Sequence, residues 1–185
     1  GQAIRAVRAP ALATALGVAD AWLIDCTQLG TGTFKDLEAQ VDLAAAADLG
    51  VEPLWLFSTG NTARAYHEWA RRIDARCTVA IPAAHEQKLS GCVGTERQPI
   101  VLIDQPPAAA AATSRALAAE AGARHLAAFD WKLEGTAAVA YALAEHCPEV
   151  ELIVQAIGSG YGPLGYELGL QRAAAIDVFA RAPVV

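Results

Sequence analysis

Leu54-Trp55-Leu56-Phe57-Ser58-Thr59-Gly60-Asn61-Thr62 is the stretch whose reading decides the fold. Four apolar residues in succession suit a strand buried on both faces, where no polar alternation is needed. The Ser/Thr/Gly/Asn turn then opens a helix from about Thr62 to Ile73. A doubly buried strand followed at once by a helix is the opening of a parallel β/α unit, and its turn lies at the carboxyl edge where ligands bind.

The same alternation continues outward. Cys77 to Ile81 reads as the next strand, stopped by Pro82, and Ile100 to Ile103 as another. Residues 83–99 between them are polar and read as loop. Pro106-Pro107 opens an alanine-rich helix that runs to Glu120 and is ended by Gly122. A helix from Glu134 to His146 stops at Pro148, and Glu151 to Ile157 reads as the last strong strand. A glycine loop and a helix from Leu164 follow, with Ile176 to Phe179 as a final strand. Upstream, Ala11 to Leu16 reads as a short helix, Trp22-Leu23-Ile24 as a strand, and Phe34 to about Leu49 as a helix capped by Thr33 and closed by Gly50. The pattern is an α/β chain with a parallel sheet.

Bulk properties narrow the classes. The chain has 185 residues, enough for a proper core, with 54% hydrophobic content dominated by alanine. A net charge of −6 leaves no basic stripe, which excludes nucleic acid as a main partner. No apolar stretch approaches the length of a membrane span. Cys26, Cys77, Cys92 and Cys147 lie far apart, without CxxC spacing, and read as reduced thiols of a cytoplasmic protein. His67, His85, His125 and His146 form no metal or triad spacing, so no metal is expected. Glu68, Arg71, Arg72 and Asp74 read as a solvated helix face.

Three segments carry chemistry. Gly30-Thr31-Gly32-Thr33-Phe34-Lys35-Asp36 puts a lysine at a helix start, where the partial positive charge of that end favours the unprotonated amine. Ser58 to Thr62 offers helix-start amides for a carboxylate and the Asn61 amide for a phenolic oxygen. Gly158-Ser159-Gly160-Tyr161-Gly162-Pro163 lets successive N–H groups converge on an anion. Each has a plainer reading alone: an exposed lysine, a capped turn, a simple glycine turn. A dinucleotide fingerprint also stays open for the last, since Asp177 lies 19 residues after Gly158, although Pro163 stands where that pattern needs Gly. Together the three suit an aldehyde cofactor bearing a phosphate.

On these residues the chain resembles the fold-type-II pyridoxal-phosphate enzymes, the tryptophan synthase β-like group. Thr33-Phe34-Lys35-Asp36 resembles the Ser/Thr-Phe-Lys-Asp motif, which implies Lys35 as the catalytic Schiff-base lysine. Ser58, Thr59, Gly60 and Thr62 resemble the substrate-carboxylate loop, with Asn61 facing the cofactor's ring oxygen. Gly158, Ser159, Gly160, Tyr161 and Gly162 resemble the phosphate loop. The resemblance implies a three-layer fold with the large domain beginning in residues 1–50, a smaller mobile subdomain over 51–148, and a return to the large domain over 149–185. Glu134-Gly135-Thr136 is similar to the threonine synthase branch. Thr33 to Ala39, Gly60 to Ala65 and Gln155 to Gly160 are more similar to cysteate synthases, and Ala63 departs from the serine usual in threonine synthases.

The resemblance implies elimination or replacement on an activated, O-phosphorylated small-molecule amino acid, carried out by a homodimer. The alternative is a non-catalytic or truncated module that binds a ligand or another subunit. The chain begins at Gly1, contains no Met and stops at Val185, before the segment that contacts the pyridine nitrogen in the family. The expectation is therefore that the natural polypeptide extends further, or that another chain packs there.

Overall fold

The computed structural model describes residues 4–126, 131–158 and 160–175. The chain divides into two compact units, one of residues 35–132 and one of residues 1–34 with 133–185. The helix that begins at Lys35 belongs to the first of these units.

The 35–132 unit is built on β3 (Leu54–Phe57), β4 (Cys77–Pro82), β5 (Ile100–Ile103) and β6 (Arg124–His125), all parallel, in the order β5-β4-β3-β6. Leu54 pairs with Cys77 on one side and with Arg124 on the other. Alternate residues of each strand enter different layers, as the period of a strand requires. Leu54 and Leu56 with Cys77, Val79 and Ile81 pack against α2 (Lys35–Asp48) and α3 (Asn61–Arg72). Trp55 and Ala80, with Ile103, pack against α4 (Pro107–Glu120), where Trp55 Nε1–H donates to Ser114 Oγ at 2.8 Å. The result is a three-layer α/β/α arrangement, and both faces of β3 are buried. That is why its sequence shows no polar alternation.

Strand order positions the site. The chain runs outward from β3 to β4 and β5, then returns past β3 to β6. The carboxyl end of β3, where Ser58 begins the turn into α3, is therefore a topological switch point.

In the second unit, β1 (Arg5–Arg8) pairs with β2 (Trp22–Asp25), Arg5 opposite Asp25 and Arg8 opposite Trp22, with α1 (Pro10–Leu16) between them. This pairing is antiparallel and separate from the parallel sheet. Two arginines in a four-residue strand hide β1 from any apolar pattern. Helices α5 (Lys132–His146) and α6 (Tyr161–Ala174) meet through glycine: a β-carbon on Gly165 would lie 1.7 Å from Thr136 Oγ1, and one on Gly169 would lie 2.6 Å from the Ala137 carbonyl. Arg172 closes the same contact with two bonds to Glu134, at 2.5 and 2.9 Å.

Three element-level expectations change. Glu151 to Ile157 is not a regular strand; it forms one isolated bridge at Leu152, and Leu152, Val154 and Ile157 are 63%, 87% and 72% exposed. An apolar run becomes a strand only beside a neighbour that takes its hydrogen bonds, and the described residues supply just that bridge. Within residues 83–99 a 3₁₀ helix runs from Ala83 to Leu89. Helix α6 starts at Tyr161 rather than Leu164, because a proline is tolerated in the first turn, where its missing N–H is no loss. The strand expected at Ile176 to Phe179 lies outside the described residues, as does Ser159.

The glycine-mediated contact is testable. Gly165→Ala should destabilise the fold by about 1–3 kcal/mol through overpacking against Thr136 and the Leu133 carbonyl. Urea unfolding of the variant beside the parent measures it.

Candidate functional site

Helix α2 opens at Lys35 itself, and the lysine side chain is 16% exposed. A cation at this end opposes the helix dipole, yet two acids of the first turn, Asp36 and Glu38, lie beside it. Lys35 Nζ donates to Glu38 Oε1 one turn along. Glu38 is 1% exposed, and its carboxyl is pushed above the ordinary glutamate value of 4.5, chiefly by burial, with the Lys35 bond opposing.

The polar face continues inward. Lys35, Glu38 and Asp42 stand at i, i+3 and i+7, the spacing of one helix face. Asp42 has no exposure and accepts from the Tyr66 hydroxyl and from the Trp131 N–H at 2.9 Å. Lys132 Nζ lies 3.9 Å from Asp42 and 5.5 Å from the centre of the Tyr66 ring. Burial first, then Asp42, holds the Tyr66 phenol well above its ordinary value, so it stays a hydrogen-bond donor. On the neighbouring face Asp36, also without exposure, accepts from Trp69 Nε1–H at 2.9 Å. Sequence reasoning singled out Lys35 but missed Asp42, Tyr66 and Lys132. The i, i+3, i+7 run of charges on a helix that has to pack was the available signal.

In the same unit, Ser58 to Thr62 forms the turn from β3 into α3. Ser58 N–H donates to the Ala80 carbonyl at 3.1 Å, and Ser58 Oγ accepts from Gly60 N–H at 3.3 Å. His85 Nδ1–H donates to the Thr59 carbonyl at 2.9 Å, tying the turn to the 3₁₀ helix. Asn61 and Thr62 are the first residues of α3. Their N–H groups belong to the set that finds no acceptor within a helix.

In the other unit, Gly160 precedes α6 with φ +89°, a left-handed conformation that glycine adopts without strain. A β-carbon on Gly158 or Gly160 would meet no atom within 4 Å, so the backbone there is open to close approach. Gly162 lies against the Gln155 side chain, whose buried Oε1 finds no hydrogen-bond partner among the described residues. The first turn of α6 carries no acid to repel an anion.

Each unit is thus described by itself: the 35–132 unit holds a mostly buried amine at a helix start and an amide at a strand's carboxyl end, and the other unit holds a glycine turn with open backbone. Among the described residues no group of His, Cys, Asp and Glu is arranged to hold a metal ion, and no helix is long and apolar enough to cross a membrane.

The family profile described as pyridoxal-phosphate dependent enzyme matches residues 4–184. The chain belongs to that family. Its cofactor is pyridoxal 5′-phosphate, and its α/β fold is that of the fold-type-II enzymes. Among solved structures it is similar to maize serine racemase, with a TM-score of 0.78 and 21% identity over 98% of this chain and 54% of the racemase. It is similar to a pyridoxal 5′-phosphate-dependent aspartate racemase, with a TM-score of 0.79 and 17% identity over 93% of this chain and 54% of the other. The processed form of threonine deaminase isoform 2 from Solanum lycopersicum gives a TM-score of 0.80 at 14% identity, over 93% of this chain and 48% of the deaminase. The chain thus spans about half the length of the solved structures it matches. No curated protein matches it.

The raised Glu38 carboxyl fixes a sign. A group that binds its proton more tightly when folded contributes stability present below its unfolded value and lost as pH rises through its folded one. Glu38→Gln removes that loss. The stability of the variant relative to the parent should therefore increase as pH rises from 4.5 through the folded value and then level off. Urea unfolding of both proteins across that range checks it.

Proposed function

We propose that this chain carries a pyridoxal-phosphate site with Lys35 as its covalent lysine, acting on an amino acid by loss of a leaving group and addition of a nucleophile. The observation that carries this reading is the Lys35 amine, set at the start of α2, mostly buried and bonded to the buried Glu38 carboxylate. A solvated surface lysine needs no such partner. Pyridoxal phosphate, when bound, supplies an aldehyde for an amine and a ring that takes up charge from the amino acid Cα.

The chain's own residues would then divide the work. Lys35 Nζ would hold the cofactor and would serve as the base that takes the proton from the substrate Cα. Asn61 donates to the ring oxygen. Ser58, Thr59, Gly60 and Thr62 receive the substrate carboxylate at the start of α3, and Gly158, Ser159, Gly160, Tyr161 and Gly162 bind the phosphate through backbone N–H groups. The words Thr33 to Ala39 and Gln155 to Gly160 favour O-phosphorylated substrates of the cysteate synthase or threonine synthase kind. The four unpaired cysteines favour a reducing compartment, the cytoplasm. Exposed Leu152, Val154 and Ile157 favour a homodimer that covers them.

The alternative reading is a non-catalytic fold-type-II module that binds a ligand or another subunit.

Borohydride reduction after incubation with pyridoxal phosphate, followed by peptide mass spectrometry, decides the first point. The reduced cofactor should appear on the Lys35 peptide and vanish in Lys35→Ala; attachment elsewhere, or none, refutes the assignment. Gly160→Val should weaken retention about tenfold, equivalent to roughly 1.4 kcal/mol, because a β-carbon blocks the phosphate's approach. Phosphate release from O-phosphoserine or O-phosphohomoserine then separates the readings. Attachment at Lys35 without any release supports the non-catalytic module.

A further inference from the structure

The chemistry proposed for Lys35 leaves one question about a proton. An amine attacks a carbonyl only in its neutral form. Lys35 is held as an ion pair with Glu38, so the proton on Nζ has to go somewhere before the amine can react. The groups around Glu38 are Lys35 and Asp42 on α2, Tyr66 on α3 and Lys132 at the start of α5, with the Cys77 thiol of β4 beyond Tyr66. Asp42 already accepts from the Tyr66 hydroxyl and the Trp131 N–H and has Lys132 at its other side. Tyr66 gives its proton to that bond and has no capacity to take another. Among the described residues, Glu38 places a carboxylate oxygen in direct contact with Nζ.

We propose that Glu38 is the proton acceptor of Lys35: an N–H bond at Nζ breaks, an O–H bond forms at Glu38 Oε1, and the reverse step restores the ion pair. Charge is conserved, since ammonium and carboxylate become amine and carboxylic acid. Burial supplies the drive. A carboxylate 1% exposed is costly once its counter-ion loses charge, and such a group takes up a proton instead. The upward displacement of the Glu38 carboxyl runs the same way. Lys132 and Asp42 behind it keep a paired charge whichever state Lys35 is in. The inference rests on Lys35 being the cofactor lysine.

The test neutralises Lys35 without the cofactor. The full chain is acetylated with acetic anhydride, the site of modification is located by mass spectrometry, and the infrared difference spectrum is recorded at neutral pH with ¹³C-labelled glutamate. Acetyl-Lys35 should bring up a carboxylic-acid carbonyl band that carries the isotope shift and is missing in Glu38→Gln. No acid band in the parent with Lys35 acetylated overturns the proposal, and this arm holds even if Glu38→Gln fails to fold. The same isotope-shifted acid band persisting in a folded Glu38→Gln overturns it as well. Pyridoxal phosphate capture, mapped in parallel, keeps the two ideas apart. Capture at Lys35 without the acid band leaves the cofactor site standing and removes Glu38 from it. The acid band without capture at Lys35 leaves the proton exchange standing and removes the cofactor reading.

Discussion

Glu38 and Asp42 on one face of α2 have left water, and much of the 35–132 unit is arranged around keeping them paired. An uncompensated buried carboxylate would cost several kcal/mol, comparable to the whole margin of stability of a small domain. Glu38 is served from its own helix by Lys35; Asp42 draws on the Tyr66 hydroxyl of α3, the Trp131 N–H and the Lys132 ammonium. These partners come from segments far apart in sequence, so the charged face cannot form until the sheet has brought α3 and residues 131–132 to α2. An all-apolar α2 would pack as well without such conditions. On the proposed function, the retained charge holds a reactive amine at one end of the face.

The elements that were legible in the sequence share one property: their burial is decided locally. Leu54 to Phe57 is apolar without interruption because α2 and α3 cover one face and α4 the other. Pro107 and Gly122 mark the limits of α4 by backbone chemistry alone. The illegible elements owe their state to a neighbour. Arg124-His125 is a strand because β3 offers it an edge, not because two polar residues favour extension. Arg5 to Arg8 extends because β2 pairs with it. Glu151 to Ile157 shows the converse, with strand-like composition and only a single bridge.

The candidate site divides along the same line. Short motifs record backbone demands that the structure shows: Lys35 opens α2, Ser58 to Thr62 is the turn from β3 into α3, and Gly160 is left-handed ahead of α6. What stands behind Lys35 was not visible. Asp42 looks like one more acid on an alanine-rich helix, and Lys132 like an ordinary helix-start cation. Only the contacts across nearly a hundred residues turn them into a buried ion pair. A charged residue's burial is a tertiary fact, and a lone sequence carries little trace of it.

The order β5-β4-β3-β6 also bears on how the chain emerges during synthesis. β3 gains its first neighbour, β4, after little more than twenty residues, but its second neighbour at Arg124 only after about seventy. At typical elongation speeds that gap lasts roughly 4 to 14 seconds. During it Leu54 to Phe57 presents an unpaired, apolar edge, the kind of surface on which other chains nucleate. The nascent chain passes through a window in which the strand that later forms the middle of its sheet is its most adhesive part.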